Sequence, residues 1–302
     1  MAEVNKLTTK VLRKSNGAKT SKGDTLLVWY EGSLMDGTVF DGNYNFQELA
    51  TRVPTYFQGD QGFLVQPAQP FEFKLGEGNV IQGWEKGLKG RKVGEVLELT
   101  IPSDQAYGEA GSGPIPPDAD LRFKVEILGL LQDGAEEAKF PTLKDIGINT
   151  KKLKLSDADL ANLSETKIGL DTNDRLIGSN AKDLLIGLKG NDRLYGAGGG
   201  DLLIGGAGKN RFLYTEVDDS LNIDGQRDTI VKFSKKSDRI DLRLLTEDAD
   251  LSFIGAAKFK GFAGEVQFKK ETLGIDLDGD KSADMAILLP GTSTLGKSNL
   301  IL

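Results

Sequence analysis

The 302-residue chain has no cysteine and no histidine. The first absence excludes disulfides. The second excludes a Ser-His-Asp triad, a Cys-His pair and any histidine-ligated zinc site. No apolar run approaches the roughly 20 residues of a membrane-spanning helix. Residues 1–6 also lack the apolar stretch of a secretory leader, so an export address would have to lie elsewhere. There is no basic run and no arginine–aromatic stripe, and the net charge of −7 makes nucleic acid a poor partner. Apolar residues make up 38%, enough for globular cores, and the length sets two or three domains as the starting expectation. Glycine, by contrast, is plentiful at 38 residues, and part of it is strictly periodic.

From residue 169 to 212 the chain repeats every nine residues. Glycine opens the units at Gly169, Gly178, Gly187, Gly196 and Gly205. Five residues on come Asp174, Asp183, Asp192, Asp201 and Asn210, and two further Leu176, Leu185, Leu194, Leu203 and Phe212. Each unit offers a turn and then a short strand around the apolar residue. Glycine allows the positive φ of a tight turn and leaves carbonyls free to point inward. A hard dication such as Ca²⁺ takes six to eight oxygens from carboxylates and carbonyls. Successive strands of a coil stack on alternate sides, so acids two units apart face the same ion: Asp174 with Asp192, Asp183 with Asp201, Asp192 with Asn210. The leucines then fill a thin core between two parallel sheets that one unit alone could not bury.

This period resembles the calcium-binding nonapeptide of repeat-in-toxin (RTX) proteins. The metal-binding candidates are those five acid-position residues with Gly169, Asp171, Gly178, Asn180, Gly187, Leu188, Lys189, Gly190, Ala197, Gly199, Gly206 and Gly208 of the turns. Thr172 and Ala181 replace a turn glycine that Gly190, Gly199 and Gly208 keep. The later turns are therefore expected to bind best, with the first a degenerate cap.

The N-terminal third reads differently. Leu121, Phe123, Val125 and Ile127 alternate with polar residues, as do stretches 71–75 and 96–101, which marks half-buried strands. Residues 25–30 form another strand, with a turn at Asp36-Gly37, and 80–88 suits one short helix with Trp84 and Leu88 on one face. A sheet wrapped on a single helix is an α+β domain.

Tyr30, the D-G-T-V-F-D run over 36–41, Phe71-x-Phe73-x-Leu75-Gly76 and Val80-Ile81-x-Gly83-Trp84-Glu85-x-Gly87 follow in order. Ala106-Tyr107-Gly108, Ile115-Pro116-Pro117 and Leu121-x-Phe123 continue the series. Over about residues 20–131 the chain resembles FKBP-type peptidyl-prolyl isomerases. By matching position, Tyr30, Phe40, Asp41, Phe71, Val80, Ile81, Trp84, Tyr107, Ile115 and Phe123 would line the proline pocket, with Trp84 as floor. Phe73 and Leu75 are left to the core. The segment 42–69 is longer than its counterpart in that family and carries Tyr44, Phe46, Tyr56, Phe57 and Phe63.

Residues 132–168 show no strong period and read as a linker that partly packs on the repeats. Beyond the repeats, Asp228-Thr-Ile230 and Asp238-Arg-Ile240 keep the acid-x-apolar step. With residues 262–266 and the acidic stretch 276–284 they resemble the C-terminal region of serralysin-type secreted proteases. That resemblance implies an uncleaved C-terminal signal for type I secretion from a bacterium; the protease itself is absent, for want of histidine. Asp228, and Asp276, Asp278, Asp280 and Asp284, are weaker metal candidates.

The reading is an α+β FKBP-like antiparallel sheet with one short helix (1–131), a linker (132–168), an all-β parallel RTX β-roll (169–213) and a C-terminal β region (214–302). The function it implies is a secreted isomerase acting on proline-containing polypeptides, with several calcium ions, no zinc and no organic cofactor. The alternative is a non-enzymatic extracellular chaperone or a calcium-dependent adhesion module.

Overall fold

The computed structural model describes residues 4–43, 70–245 and 250–302. These fall into two compact units, one reaching Lys152 and one running from Leu153 to Leu302.

The first unit is an antiparallel sheet built from β1 (Thr8–Arg13), β2 (Thr25–Leu34), β3 (Val39–Gly42), β4 (Phe71–Lys74), β5 (Val96–Ile101) and β6 (Leu121–Leu131). Its strand order is β1-β5-β6-β2-β3, with β4 also on β2. The alternation of the sequence becomes its two faces: Leu97, Leu99, Ile101, Leu121, Val125 and Ile127 are fully buried. Helix α1 (Gln82–Gly87) crosses that face and starts two residues later than 80–88 suggests. Its close approach depends on Gly83 and Gly87. A Cβ on Gly83 would meet Ile101 at 2.4 Å and one on Gly87 would meet Leu99 at 3.0 Å. Arg13 and Glu126 form a buried ion pair between β1 and β6, and Arg13 Nε also donates to Gly94 O at 3.1 Å.

The linker reading of 132–168 is corrected at both ends. Lys139 pairs with Leu130, Asn16 N–H donates to Asp145 O at 2.7 Å, and Leu143 and Ile146 are buried in the first unit. The absent Cβ of Gly129 leaves room for the Phe140 ring. At the other end Glu165–Ile168 is a strand, β7, of the second unit.

In the second unit the chain alternates between two sheets. One holds β7, β9 (Asp183–Ile186), β11 (Leu202–Ile204) and β13 (Thr229–Ile230); the other holds β8 (Arg175–Ile177), β10 (Arg193–Tyr195), β12 (Arg211–Leu213) and β14 (Arg239–Asp241). Neighbours within each sheet are parallel and in register, for example Leu176 with Leu194 and Leu194 with Phe212. Between the sheets lies a core of Leu176, Leu185, Leu194, Leu203, Phe212 and Ile230. The coil is longer than 169–213. It begins at β7 and passes through β13 and β14. The first sheet then extends through β18 (Met285–Leu288), β17 (Thr272–Asp276), β16 (Glu265–Lys269) and β15 (Ser252–Gly255), and the second through β19 (Leu300–Ile301).

Candidate functional site

The aromatic cluster of the first unit is organised around Trp84, which α1 carries into the face of the sheet at 3% exposure. Its ring lies 5.2 Å from Tyr30, 5.3 Å from Phe123, 5.7 Å from Phe73 and 6.1 Å from Phe71, mostly edge to face. Phe40 meets Phe123 at 5.7 Å. Gly32 makes that contact possible, since a Cβ there would press on both rings at 2.7–2.9 Å. Phe123 and Ile115 are buried, Val80 and Ile81 half-buried, and Phe71 and Tyr107 exposed at 38% and 39%. The cluster is thus a dry floor with an open rim. Phe73, left to the core by the alternation of 71–75, also touches Trp84 and stacks on Phe71 at 5.7 Å.

Polar groups sit at the rim. The Tyr30 hydroxyl donates to Asp41 Oδ2 at 2.8 Å. Burial, then the hydrogen bond and charge of Asp41, hold Tyr30 well above the usual phenol range, and Tyr107 is raised by burial and the same carboxylate. Ile81 precedes α1 and its carbonyl accepts from Trp84 and Glu85. Glu85 in turn accepts from the backbone N–H groups of Gly76 and Gly78, which pins the turn leading from β4. The long segment 44–69, with Tyr44, Phe46, Tyr56, Phe57 and Phe63, lies outside the described residues.

The second unit brings its acids into two ladders. In one, Asp174 N–H donates to Asp192 Oδ1 at 2.9 Å, Asp192 to Asn210 Oδ1 at 3.1 Å and Asn210 to Asp238 Oδ1 at 3.1 Å. In the other, Glu165 donates to Asp183 Oδ1 at 2.8 Å, Asp183 to Asp201 and Asp201 to Asp228, both at 2.8 Å. All but Glu165 are buried. The sequence reading missed Glu165, which stands where the other units have aspartate, and did not count Asp238 as a ligand. Register with the period finds the first; the second is separated from Asn210 by 28 residues instead of 18.

The turns differ along the coil. Leu188, Ala197 and Gly206 have φ of 70°, 63° and 85°, and Gly190, Gly199 and Gly208 have φ of 134°, 110° and 136°. Asp183 Oδ2 accepts from Ser179 N–H at 2.6 Å, and Asp174 Oδ2 from Leu170 N–H at 2.6 Å. In the later turns Asp192 Oδ2 and Asp201 Oδ2 are buried with no hydrogen-bond partner among the described residues. Burial above all, with neighbouring carboxylates adding, pushes Asp192 up to about 7 and Asp201 to about 10. The opening glycines cradle these oxygens: a Cβ on Gly187 would meet Asp192 Oδ2 at 2.3 Å and Gly205 O at 2.6 Å. Of the other candidates, Asn180 is exposed, Gly169 and Gly178 cradle Asp174 and Asp183 in the same way, and Asp171 is paired with the Lys189 ammonium.

Farther on, the carboxylate oxygens of Asp276, Asp278 and Asp284 lie within 4.8 Å of one another. Their oxygens accept backbone N–H groups of the same loop, Gly279 and Lys281 on Asp276 and Leu277 on Asp284. Asp280 stands outside this group and accepts from Ser282. No helix among the described residues is long and apolar enough to cross a membrane.

Comparison with known proteins divides the chain in the same way. Residues 17–128 match the FKBP-type peptidyl-prolyl cis-trans isomerase family and residues 144–302 the peptidase M10 serralysin C-terminal family. FK506-binding protein 2 of Yarrowia lipolytica is 42% identical over 117 residues, covering 38% of this chain and 67% of that protein. Peptidyl-prolyl cis-trans isomerase FKBP15-2 of Arabidopsis thaliana is 42% identical over 127 residues, covering 41% of this chain and 65% of its own length. The crystal structure of FkpA from Escherichia coli is 33% identical over 42% of this chain and 49% of that one, with a TM-score of 0.33. The chain belongs to both families, an FKBP-type peptidyl-prolyl cis-trans isomerase joined to a serralysin C-terminal domain.

Proposed function

We propose that the chain is an exported, calcium-loaded prolyl isomerase whose head acts on X-Pro bonds in unfolded or flexible polypeptides. The observation that carries the catalytic part is the floor of Trp84 under Tyr30, Phe71 and Phe123, with the Tyr30–Asp41 hydrogen bond at its rim. Rotation about X-Pro faces about 18–20 kcal/mol because amide resonance keeps the bond planar. No covalent step is needed; the site has only to bind the twisted amide better than the planar one. Aromatic walls take the carbonyl out of water, which removes hydrogen bonds that favour its planar, charge-separated form. In this reading the Ile81 N–H and the Tyr107 hydroxyl would hold the substrate's carbonyls, Val80 and Ile115 would flank the ring, and Asp41 would orient the twisted group.

For the tail, the donor set fits calcium. It is made of hard oxygens, two of them orphaned and buried, in cradles that a single methyl group would fill. Asp192, Asp201 and Asn210 with the carbonyls of the glycine turns would hold ions in an RTX-type roll, joined by Asp174, Asp183, Asp228 and Asp238. Asp276, Asp278 and Asp284 are a further candidate. Bound calcium supplies the positive charge that these buried carboxylates need in order to ionise.

Serralysin-type tails suggest export by type I machinery. Where calcium is scarce the carboxylates repel and the roll stays open; outside, ion binding supplies folding free energy. The test follows cis-to-trans conversion of a short X-Pro peptide in calcium and in chelator, with tail circular dichroism in parallel. Turnover in both conditions with calcium-dependent tail folding supports the reading. A tail fully folded in chelator overturns the calcium part, and no turnover in either condition overturns the isomerase part in favour of a chain-binding chaperone.

A further inference from the structure

The parallel register of the coil stacks four arginines. Arg193 lies opposite Arg175 on one side and Arg211 on the other, and Arg211 lies opposite Arg239. Each is followed by a fully buried core residue, Leu176, Leu194, Phe212 or Ile240. Strand alternation therefore turns all four guanidinium groups to the outer face of the same sheet. The corresponding positions of the opposite sheet are Thr166, Leu184, Leu202 and Thr229. One face of the coil thus carries a cation on every rung and the other carries none at that register.

Adjacent strands are about 4.8 Å apart, and like charges directly opposite one another destabilise a sheet. The column is relieved at one end only. Asp241 accepts both Arg211, at 3.5 Å, and Arg243, at 2.9 Å. Arg239 Nη1 donates to Asp238 O at 2.7 Å. Arg175 and Arg193 are exposed and form no ion pair among the described residues. In a chain of net charge −7 this is a line of positive charge, with Asp219 and Glu216 beside Tyr195 as its nearest acids on the adjoining strip.

We propose that this face binds a linear acidic polysaccharide with one carboxylate per sugar ring. The argument is charge complementarity in one dimension. The column is one guanidinium wide, with one charge per rung, and a planar carboxylate matches the guanidinium fork in two parallel hydrogen bonds. Beside it, two residues along each strand, Ile177, Tyr195 and Leu213 form a half-buried apolar strip on which sugar ring faces pack. A nucleic-acid strand requires protruding aromatic platforms for its bases, whereas Tyr195 is tethered through its hydroxyl to Thr215 and Asp219 at 2.9 and 3.0 Å. An anionic bilayer presents a plane of charge instead of a line.

The test is titration of the full chain, in saturating calcium, with a short galacturonate oligomer, its neutral methyl ester, single-stranded DNA and phosphatidylglycerol vesicles. The expected result is binding of the acid oligomer, none of its ester, and weakening with salt. R175Q/R193Q should weaken binding about tenfold or more, loss of two charge-assisted contacts, and R175K/R193K should weaken it less. Calcium-dependent circular dichroism of the tail reports whether these variants fold. Absence of binding, equal binding of the ester, equal binding by a folded R175Q/R193Q protein, or tighter binding of DNA or vesicles would each overturn the proposal. The ester comparison uses the unmutated chain and stands even if the variants misfold.

Discussion

Lys167 and Glu165, two residues apart on β7, form an ion pair of 2.8 Å inside the first rung of the coil. Lys167 lies in register with the core leucine Leu185, and its ammonium donates to Ile177 O at 2.6 Å. Lys182 does something similar one rung on, donating to Asp159 O at 2.6 Å and Ala161 O at 3.2 Å. The end of the coil therefore brings its own cations. Replacing Lys167 by Met should cost the calcium-loaded tail about 1–3 kcal/mol, because a buried acceptor and a carboxylate lose their partner. Urea unfolding in saturating calcium measures this, and an unchanged midpoint would mean that the pair contributes nothing.

The two orphaned carboxylate oxygens give an effect of opposite sign in the two states. In chelator, Asp201→Asn should shift the tail toward its folded state, since the variant has no carboxyl whose ionisation burial and Asp228 oppose. In calcium the same variant should lower ion affinity by tenfold or more. Calcium titrations and melting with and without chelator read both arms; a variant destabilised equally in each would show a packing role alone.

Gly187→Ala should disturb the later turns through contact alone, its φ being ordinary. The new methyl would sit against Asp192 Oδ2 and Gly205 O, at a cost of about 1–3 kcal/mol. Gly225→Ala, with φ of 83° and open space around it, should cost about 1 kcal/mol through backbone strain and leave calcium affinity alone. Equal calcium affinity in both variants would refute the cradle.

At the isomerase site, Tyr30→Phe and Asp41→Ala should each lower kcat/KM by about two- to tenfold, and the double variant by little more, because both remove the same hydrogen bond. Fully multiplicative losses would show that the two side chains act separately.

Tyr30 and Tyr107 also fix a pH dependence. Both are held above the ordinary value of 10.0, so the folded head favours their neutral forms. Their contribution to stability is intact below that value and is lost as pH rises through the raised one. Turnover should therefore be level from about pH 6 to 9, with head stability falling only in stronger alkali. A decline in turnover beginning near pH 8 would assign a different titrating group.

Much of this was legible because the residues concerned repeat at fixed intervals. Gly187, Asp192 and Leu194 recur nine residues on, and the strands, core and acid pairs follow from that period. Asp228 and Asp238 are harder to place, since an inserted segment lengthens the ladder steps from 18 to 27 and 28 residues. The backbone absorbs the insertion outside the sheets and resumes register. Strand β7 is hidden because Glu165 and Lys167 stand where aspartate and leucine are expected. Leu143 and Ile146 escaped notice because they pack singly on the head and carry no period. The arginine column is invisible along the chain, because its members become neighbours only when strands two units apart pair.

A stack of equivalent parallel rungs has no natural length, and its open edges are templates for further copies. The eight-stranded sheet breaks that translational symmetry at one end, where β17 runs antiparallel to both β18 and β16. Outward from β18, the chain joins β18, β17 and β16 as hairpins, so the repeat of the coil stops there. The antiparallel turn-back is thus a length-setting device, the difference between a domain and a filament.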